Sequence, residues 1–316
     1  MYLPRKEDVE KAYRNVKRFV HRTPVLTSRL IDGIAGCSVF FKCENFQRVG
    51  AFKFRGASNA VFGLPDNQAE KGVCTHSSGN HAAALALAAS LRGIPCHVVM
   101  PENSPPVKRK AVEGYGAKVV TCLPTQQARE AKLQEVQAAT GAVFIHPYDN
   151  VDVICGQGTA SLELLDEIGN LDAIITPVGG GGLFSGTLTY SKGFNGSIKV
   201  YAGEPRNADD ANRSLRDGVL YPSVNPNTIA DGLRTSLSPL TFAIVQKYAD
   251  GIFTVSEEQI VEAMRLVWER MKIIIEPSSA VPVAALMANR GQFAGQRVGI
   301  IISGGNVELG NLPFAH

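Results

Sequence analysis

Lys53 stands between two phenylalanines in Ala51-Phe52-Lys53-Phe54-Arg55-Gly56-Ala57, just after Val49-Gly50. A lysine ammonium is ordinarily solvated, and apolar neighbours disfavour its charged form, so such a residue can keep some neutral amine near neutral pH. Neutral amine attacks aldehydes, the chemistry by which a lysine holds an aldehyde cofactor as a Schiff base. The heptapeptide reads equally as a surface lysine beside two core phenylalanines. What the rest of the chain brings to it decides between the two.

Gly179-Gly180-Gly181-Gly182 falls directly after an apolar run, Ala173 to Val178, and before a helical pattern opening at Leu183-Phe184. Without side chains, several backbone N–H groups can converge there, and a helix N-terminus adds partial positive charge, which makes a phosphate cradle. The run is not a Walker motif, since no Gly-Lys-Ser/Thr follows, nor the dinucleotide fingerprint. Gly156-Gln157-Gly158-Thr159-Ala160-Ser161 comes nearer to that fingerprint, but it has serine where Gly or Ala belongs and no strand before it. Ser77-Ser78-Gly79-Asn80-His81 follows the run Val73 to His76 and offers hydroxyls, an amide and backbone donors, suited to a substrate carboxylate or simply to helix capping. Ser303-Gly304-Gly305-Asn306 follows the last apolar run, so three polar, glycine-bearing turns stand at strand ends, where open α/β sheets bind ligands. Glu204-Pro205-Arg206-Asn207-Ala208-Asp209-Asp210 also follows a strand pattern and reads either as a hard-cation loop or as a solvated acidic one.

The elements that must position these turns are legible as an alternation. Residues 6 to 20 carry Val9, Ala12, Val16, Phe19 and Val20 at helical spacing, and Cys37 to Glu44 reads as a strand leading toward the lysine. Strands are expected at Val73 to His76, Cys96 to Met100, Lys118 to Cys122 and Ala142 to Ile145, with helices over 80–91, 105–114 and 125–139 between them. The pattern resumes with a helix over 157–168, the strand before the tetraglycine, a helix over 183–193 and a strand Lys199 to Gly203. An irregular stretch over 205–240, expected as loops with one or two short helices, then two helices over 256–272 and 278–289 and a last strand Val298 to Ile302 complete it. Such alternation is the mark of parallel sheets with crossover helices, so an α/β fold with two lobes and a cleft between them is expected.

Of 316 residues 45% are hydrophobic and 19% charged, a balance with too few charges for disorder. The formal charge of +3 arises from 32 Lys plus Arg against 29 Asp plus Glu, with no basic run longer than Lys108-Arg109-Lys110, which argues against a nucleic-acid partner. No apolar stretch approaches the roughly 20 residues of a membrane span, and Met1 to Lys11 has no signal-peptide core, so a cytoplasmic protein is expected. Cys37, Cys43, Cys74, Cys96, Cys122 and Cys155 show no C-x-x-C pair or zinc spacing and read as reduced core thiols. Asn195-Gly196-Ser197 and Asn212-Arg213-Ser214 match the glycosylation pattern by chance in such a protein.

Taken in order, these segments resemble the serine racemase and serine/threonine dehydratase family of fold-type II pyridoxal phosphate enzymes. The resemblance is carried by Lys42-Cys43-Glu44-Asn45-Phe46-Gln47, Phe52-Lys53-Phe54-Arg55-Gly56-Ala57, Ser77 to His81, the tetraglycine, Ile229-Ala230-Asp231-Gly232 and Ser303 to Asn306. It implies a tryptophan synthase β-like fold of two open parallel-sheet lobes, the large one 1–66 and 148–316, the small one 67–147 inserted in it. It implies Lys53 as the Schiff-base lysine flanked by Phe52, Asn80 at the pyridine 3′-oxygen, and Gly179, Gly180, Gly181 and Gly182 on the phosphate. Gly232 would line the cofactor, and Ser303 would face the ring nitrogen. A hydroxyl partner there, unlike an aspartate, does not force that nitrogen to be protonated.

The resemblance further implies an ammonia-lyase (dehydratase) acting on small β-hydroxy amino acids such as serine, threonine or 3-hydroxyaspartate, with Lys53 taking the Cα proton. Ser77, Ser78, Gly79, Asn80 and His81 would hold the substrate. Ser78 matches the racemases, where this serine faces Cα opposite the lysine, and typical threonine dehydratases have alanine there; racemisation is therefore the alternative activity. His146-Pro147-Tyr148-Asp149 departs from the mammalian racemase, which has asparagine at the tyrosine. Arg129, Tyr148 and Arg234 stand on the substrate side, and either arginine could pair with a second carboxylate. Glu204, the Ala208 carbonyl and Asp210 match the family's Mg²⁺, Mn²⁺ or Ca²⁺ positions, and a homodimer is expected. A non-catalytic paralogue that only binds a ligand is the reading from another class.

Overall fold

The computed structural model describes residues 1–77, 79–104 and 106–314. The chain opens with α1 (Lys6–Val16), β1 (Val25–Leu26), α2 (Arg29–Ala35) and β2 (Ser38–Cys43), followed by α3 (Lys53–Gly63) and the short α4 (Asp66–Ala69). Then come β3 (Val73–His76), α5 (Asn80–Arg92), β4 (Cys96–Pro101), α6 (Pro106–Gly114), β5 (Lys118–Cys122), α7 (Gln126–Thr140) and β6 (Val143–Phe144). The remainder is α8 (Val151–Ile168), β7 (Ala173–Pro177), α9 (Gly182–Phe194), β8 (Lys199–Pro205), α10 (Asp210–Asp217) and α11 (Pro239–Tyr248). It closes with β9 (Gly251–Val255), α12 (Glu257–Met271), α13 (Pro277–Ala288) and β10 (Arg297–Ile302).

Two sheets form. The larger has the order β1-β2-β10-β7-β8-β9 and is parallel except for β1, while the smaller, β5-β4-β3-β6, is parallel throughout. Central β7 is buried at all five positions, as a strand covered by helices on both faces must be. Helix α8 is buried along most of its length because α3 and α9 pack against it. Gly158 lies so close to the backbone of Gly186 that a β-carbon would sit 2.7 Å from its carbonyl oxygen.

The strand and helix expectations over 73–145 hold within a few residues, but three differences matter. No element was expected at the lysine itself, where Lys53 begins α3, whose residues Phe54 to Val61 are all buried. Because Arg55, Ser58 and Asn59 are buried along with the apolar positions, no polar face marks this helix in the sequence. Helix α8 starts at Val151 rather than 157, so Gly156-Gln157-Gly158 lies inside a helix. The stretch over 205–240 contains the short helix α10, as expected, whereas edge strand β9 was not expected. Among the described residues no helix is long and apolar enough to cross a membrane.

A closed set of buried charges ties the lysine helix to the large sheet. Arg55, two residues beyond Lys53, donates to both carboxylate oxygens of Glu44 (2.7 and 2.8 Å) and of Glu163 (2.9 and 2.7 Å). Lys42 donates to Glu163 at 2.7 Å and to the Thr23 carbonyl at 2.6 Å. All four charged side chains are buried; two cations meet two anions, which removes the penalty of an uncompensated charge. Burial pushes the Glu44 carboxyl up, but Arg55 outweighs it and holds the group below its ordinary value.

Candidate active site

The three turns meet at the carboxyl ends of their strands. Ser303 ends β10, and its carbonyl accepts the Phe52 N–H at 2.9 Å, while Ala51 and Gly304 form a β-bridge. Val49, just upstream, holds φ 57°, a left-handed conformation uncommon for a β-branched residue, and its carbonyl accepts from Asn306 Nδ2 at 2.8 Å. The loop into Lys53 is thus pinned by the turn after the last strand.

Lys53 Nζ donates to the Pro147 carbonyl at 2.8 Å and lies 5.1 Å from the Phe52 ring centroid. Burial lowers its pKa to about 8, with Glu276 pulling weakly the other way. A neutral amine is therefore accessible to it at mildly alkaline pH, as the flanking phenylalanines suggest.

Next to Lys53 the tetraglycine runs from the end of β7 into the N-terminus of α9. Gly181 has φ 83°, a conformation open to glycine. The Tyr148 ring packs against Gly180 so closely that a β-carbon there would overlap it, and one at Gly182 would meet Gln157 Oε1 at 2.6 Å. A β-carbon at Gly179 would lie 2.8 Å from Leu233 Cα, so the turn Asp231–Leu233 carrying Gly232 closes over the cradle. Bare backbone at a helix N-terminus beside a buried amine fits a phosphorylated aldehyde.

Asn80, at the start of α5, is gripped on both sides. Its Nδ2 donates to both oxygens of Glu276 at 3.1 Å, and its Oδ1 accepts from Asn306 Nδ2 at 2.9 Å, which sets the orientation of the amide. Glu276 also accepts from the Asn306 N–H at 3.2 Å. Burial pushes the Glu276 carboxyl up to about 7, against the pull of its Asn80 hydrogen bond. Sequence reasoning missed Glu276, since an acid followed by proline at a helix start looks like ordinary capping; only the fold brings it to Asn80.

In the Ser77-to-His81 turn, Ser77 Oγ accepts the Gly79 N–H at 3.3 Å. Ser78 lies outside the described residues. His81 Nε2 lies 3.0 Å from the Ile145 carbonyl and must donate to it, so Nδ1 of the neutral ring is an acceptor, buried and without a partner among the described residues. Burial lowers His81 to about 3 and His146 to about 4, so both are neutral at physiological pH. His146 Nδ1 accepts from the Asp149 N–H at 2.8 Å, and its ring meets Tyr148 edge-on at 4.6 Å between centroids.

The two arginines differ. Arg129, in the first turn of α7, is close enough to lower the His76 pKa after burial has done so, and its Nε is buried with no partner among the described residues. Arg234 is exposed and directs Nε and Nη2 to the Thr228 carbonyl at 3.0 and 2.5 Å. The acidic turn follows β8, the neighbour of β7. Glu204 accepts the Ala211 and Asn212 N–H groups at 2.8 Å each, and Asp210 keeps a buried Oδ2 without a partner among the described residues. Burial raises Glu204 well above its ordinary value and Asp210 to about 6. Among the described residues no three His, Cys, Asp or Glu converge as a metal site; the expected set has two carboxylates and a carbonyl. Its hard oxygens and the orphaned Asp210 oxygen fit a divalent cation.

A family model described as pyridoxal-phosphate dependent enzyme matches residues 16–304. The beta-hydroxyaspartate dehydratase of Paracoccus denitrificans is 48% identical over 314 residues, covering 99% of this chain and all of the relative. The serine racemase of Dictyostelium discoideum is 50% identical over 310 residues, 97% of this chain and 96% of the relative. Its crystal structure superposes with a TM-score of 0.94 over 96% of this chain and 99% of its own.

Proposed function

The chain belongs to the pyridoxal-phosphate dependent enzyme family, and on that premise we propose that it is an ammonia-lyase converting small β-hydroxy amino acids to 2-oxo acids and ammonia. The observation that carries this reading is the half-buried Lys53, its pKa lowered to about 8, between the tetraglycine and the Asn80–Glu276 pair. When bound, pyridoxal phosphate supplies an electron sink that acidifies the substrate Cα–H and lets the β-hydroxyl leave. Lys53, its pKa lowered so that part of the amine is neutral, attaches the cofactor and takes the Cα proton. Gly179 to Gly182 bind the phosphate through backbone N–H groups, with Gly232 and Phe52 beside it. Glu276 fixes the Asn80 amide so that a hydrogen on Nδ2 remains for the 3′-oxygen, and Ser303 faces the ring nitrogen.

The Ser77-to-His81 turn takes the substrate carboxylate through its hydroxyl, amide and backbone N–H donors. Of the expected substrates, 3-hydroxyaspartate is supported by the orphaned Nε of Arg129 and by the name of the Paracoccus relative; Tyr148 lines the same side, while Arg234 is largely engaged with Thr228. Racemisation by Lys53 and Ser78 on opposite faces is the second reading, favoured by the serine at position 78 and by the Dictyostelium relative. We include in the proposal a Mg²⁺, Mn²⁺ or Ca²⁺ held by Glu204, the Ala208 carbonyl and Asp210, supported by the unpartnered Asp210 oxygen. The lobe division at 67–147, a cytosolic location, supported by six buried thiols, and a homodimer belong to the same reading; exposed Leu30 and Ile34 on α2 are apolar surface that a second copy would cover.

The test loads purified protein with pyridoxal phosphate, reduces it with borohydride and maps the label, then assays L- and D-serine, L-threonine and the 3-hydroxyaspartate stereoisomers for 2-oxo acid and enantiomer. A label on Lys53 and 2-oxo acid from at least one substrate are expected. A colourless protein, or a label on another lysine, overturns the reading. Inverted serine without 2-oxo acid selects the racemase instead.

A further inference from the structure

His146 stands just after β6, and its ring is tied down on one side only. Nδ1 lies 2.8 Å from the Asp149 amide nitrogen and 3.3 Å from that of Tyr148. Each amide brings its own hydrogen, so Nδ1 is a bare acceptor. Turning the ring over would set a carbon before both amides, which fixes the two nitrogens. The one ring proton of the neutral histidine therefore sits on Nε2. Protonating Nδ1 as well would break both backbone bonds, and burial lowers the pKa to about 4. Nε2 has no partner among the described residues and is not sealed from solvent, so its N–H is open to a ligand. Three parts of the site surround the ring. The next residue, Pro147, supplies the carbonyl that takes Lys53 Nζ at 2.8 Å. Tyr148 meets the ring edge-on at 4.6 Å and itself covers Gly180. His76, which leads into the Ser77-to-His81 turn, meets it edge-on at 6.1 Å.

We propose that His146 is a specificity-determining residue whose Nε2–H, fixed in direction, is the donor that holds the β-hydroxyl oxygen of the substrate. This rests on the reading above in which the cleft takes β-hydroxy amino acids onto a cofactor at Lys53. The expected substrates all share that hydroxyl, and its oxygen accepts such a donor whatever else the β-carbon carries. The ring cannot turn to offer an acceptor instead without giving up both amides. An amino acid that lacks a β-oxygen therefore leaves the N–H unpaired in the occupied cleft, and that loss is the source of the selectivity.

The experiment uses the full chain loaded with pyridoxal phosphate, with attachment at Lys53 confirmed by borohydride on a portion. Two variants separate the two nitrogens. In His146→Asn the amide oxygen takes the place of Nδ1 and caps the same amides, but no donor stands where Nε2–H stood. In His146→Gln the amide nitrogen reaches the Nε2 position and the cap is lost. His146→Asn is expected to raise KM for the preferred substrate of the panel roughly fivefold to tenfold, the net worth of one hydrogen bond, with little change in kcat, while His146→Gln stays near the wild-type KM. The competitive inhibition constant of L-alanine, which has no β-oxygen, should not rise with it. An impaired Gln variant beside an unaffected Asn variant would mean that His146 only caps its turn, and overturns the proposal. Equal KM changes in the two variants, or a parallel rise in the alanine constant, overturn it too. Either variant decides alone if the other does not fold. Should neither fold, wild-type protein labelled with ¹⁵N-histidine decides: a protonated Nε2 resonance must shift on saturation with the preferred substrate and stay in place with L-alanine, and its absence overturns the proposal. Absence of label on Lys53 instead overturns the cofactor reading, and this inference with it.

Discussion

At the scale of single residues, the proposed chemistry rests on the half-buried Lys53 and the buried Glu276, whose charges are opposite. Lys53 is driven toward its neutral form by burial, with a pKa of about 8, and the Glu276 carboxylate is the one group that raises it. Removing that charge in Glu276→Gln should lower the Lys53 pKa further. The rate of cofactor attachment rises with the neutral amine, so the wild-type rate should climb through about pH 8 and the variant's at lower pH. Stopped-flow absorbance against pH reads both; an unshifted or alkaline-shifted profile contradicts the coupling. The carboxyl itself carries a second sign. Because folding raises Glu276 from 4.5 to about 7, the folded, cofactor-free chain holds an extra proton between those values. Its contribution to stability is full below 4.5 and is lost as pH rises through about 7. Nothing at Glu276-Pro277 announced this in the sequence, since the acid gains its partners only when Asn80 and Asn306 arrive from elsewhere in the chain.

At the scale of elements, α3 presents Lys53 and is held through Arg55. The guanidinium links Glu44 at the end of β2 with Glu163 in α8, so the lysine helix cannot shift without breaking buried ion pairs. Arg55→Met keeps apolar bulk but leaves two buried carboxylates with Lys42 as their only cation in this cluster. A loss of about 3–5 kcal/mol in unfolding free energy is expected, read by urea denaturation of the cofactor-free chain. A change near zero would mean that the carboxylates take up protons or water at little cost. The network also explains why α3 was unreadable: its buried face includes an arginine and an asparagine whose partners lie far away in sequence, and a serine without a partner among the described residues. By contrast, β7 and β10 were legible because strands buried on both faces are apolar throughout.

At the scale of the whole molecule, strand order places the acidic turn beside the phosphate cradle. β7 and β8 are neighbours in parallel register, with Pro177 opposite Gly203, so Gly179 and Glu204 leave adjacent strands at the same end of the sheet. A divalent cation there would neutralise the repulsion between Glu204 and Asp210 and stabilise the folded chain by mass action, by about 2.7 kcal/mol at a hundred times its dissociation constant. Thermal melting with Mg²⁺, Mn²⁺ or Ca²⁺ should show a rise that Asp210→Asn largely abolishes. Equal shifts in both proteins would remove the cation from the proposal. The Asn80 amide spans a wider distance: it ties the first turn of α5, beside the small sheet, to Glu276 and Asn306 beside the large one.

From sequence alone, the α/β alternation, the three glycine-bearing strand ends and the apolar-flanked lysine were determined, because each is a local pattern set by backbone geometry and neighbouring side chains. The Lys53 segment by itself could not choose between a reactive amine and a surface cation. The tertiary structure supports the first, enclosing the half-buried amine beside Pro147 so that its pKa is lowered, with Glu276 within reach of its field. It also leaves Arg129 Nε without a partner among the described residues. Burial and electric fields depend on distances between groups that the chain order keeps far apart, such as Asn80 and Glu276, separated by 196 positions, and Asn80 and Asn306, separated by 226.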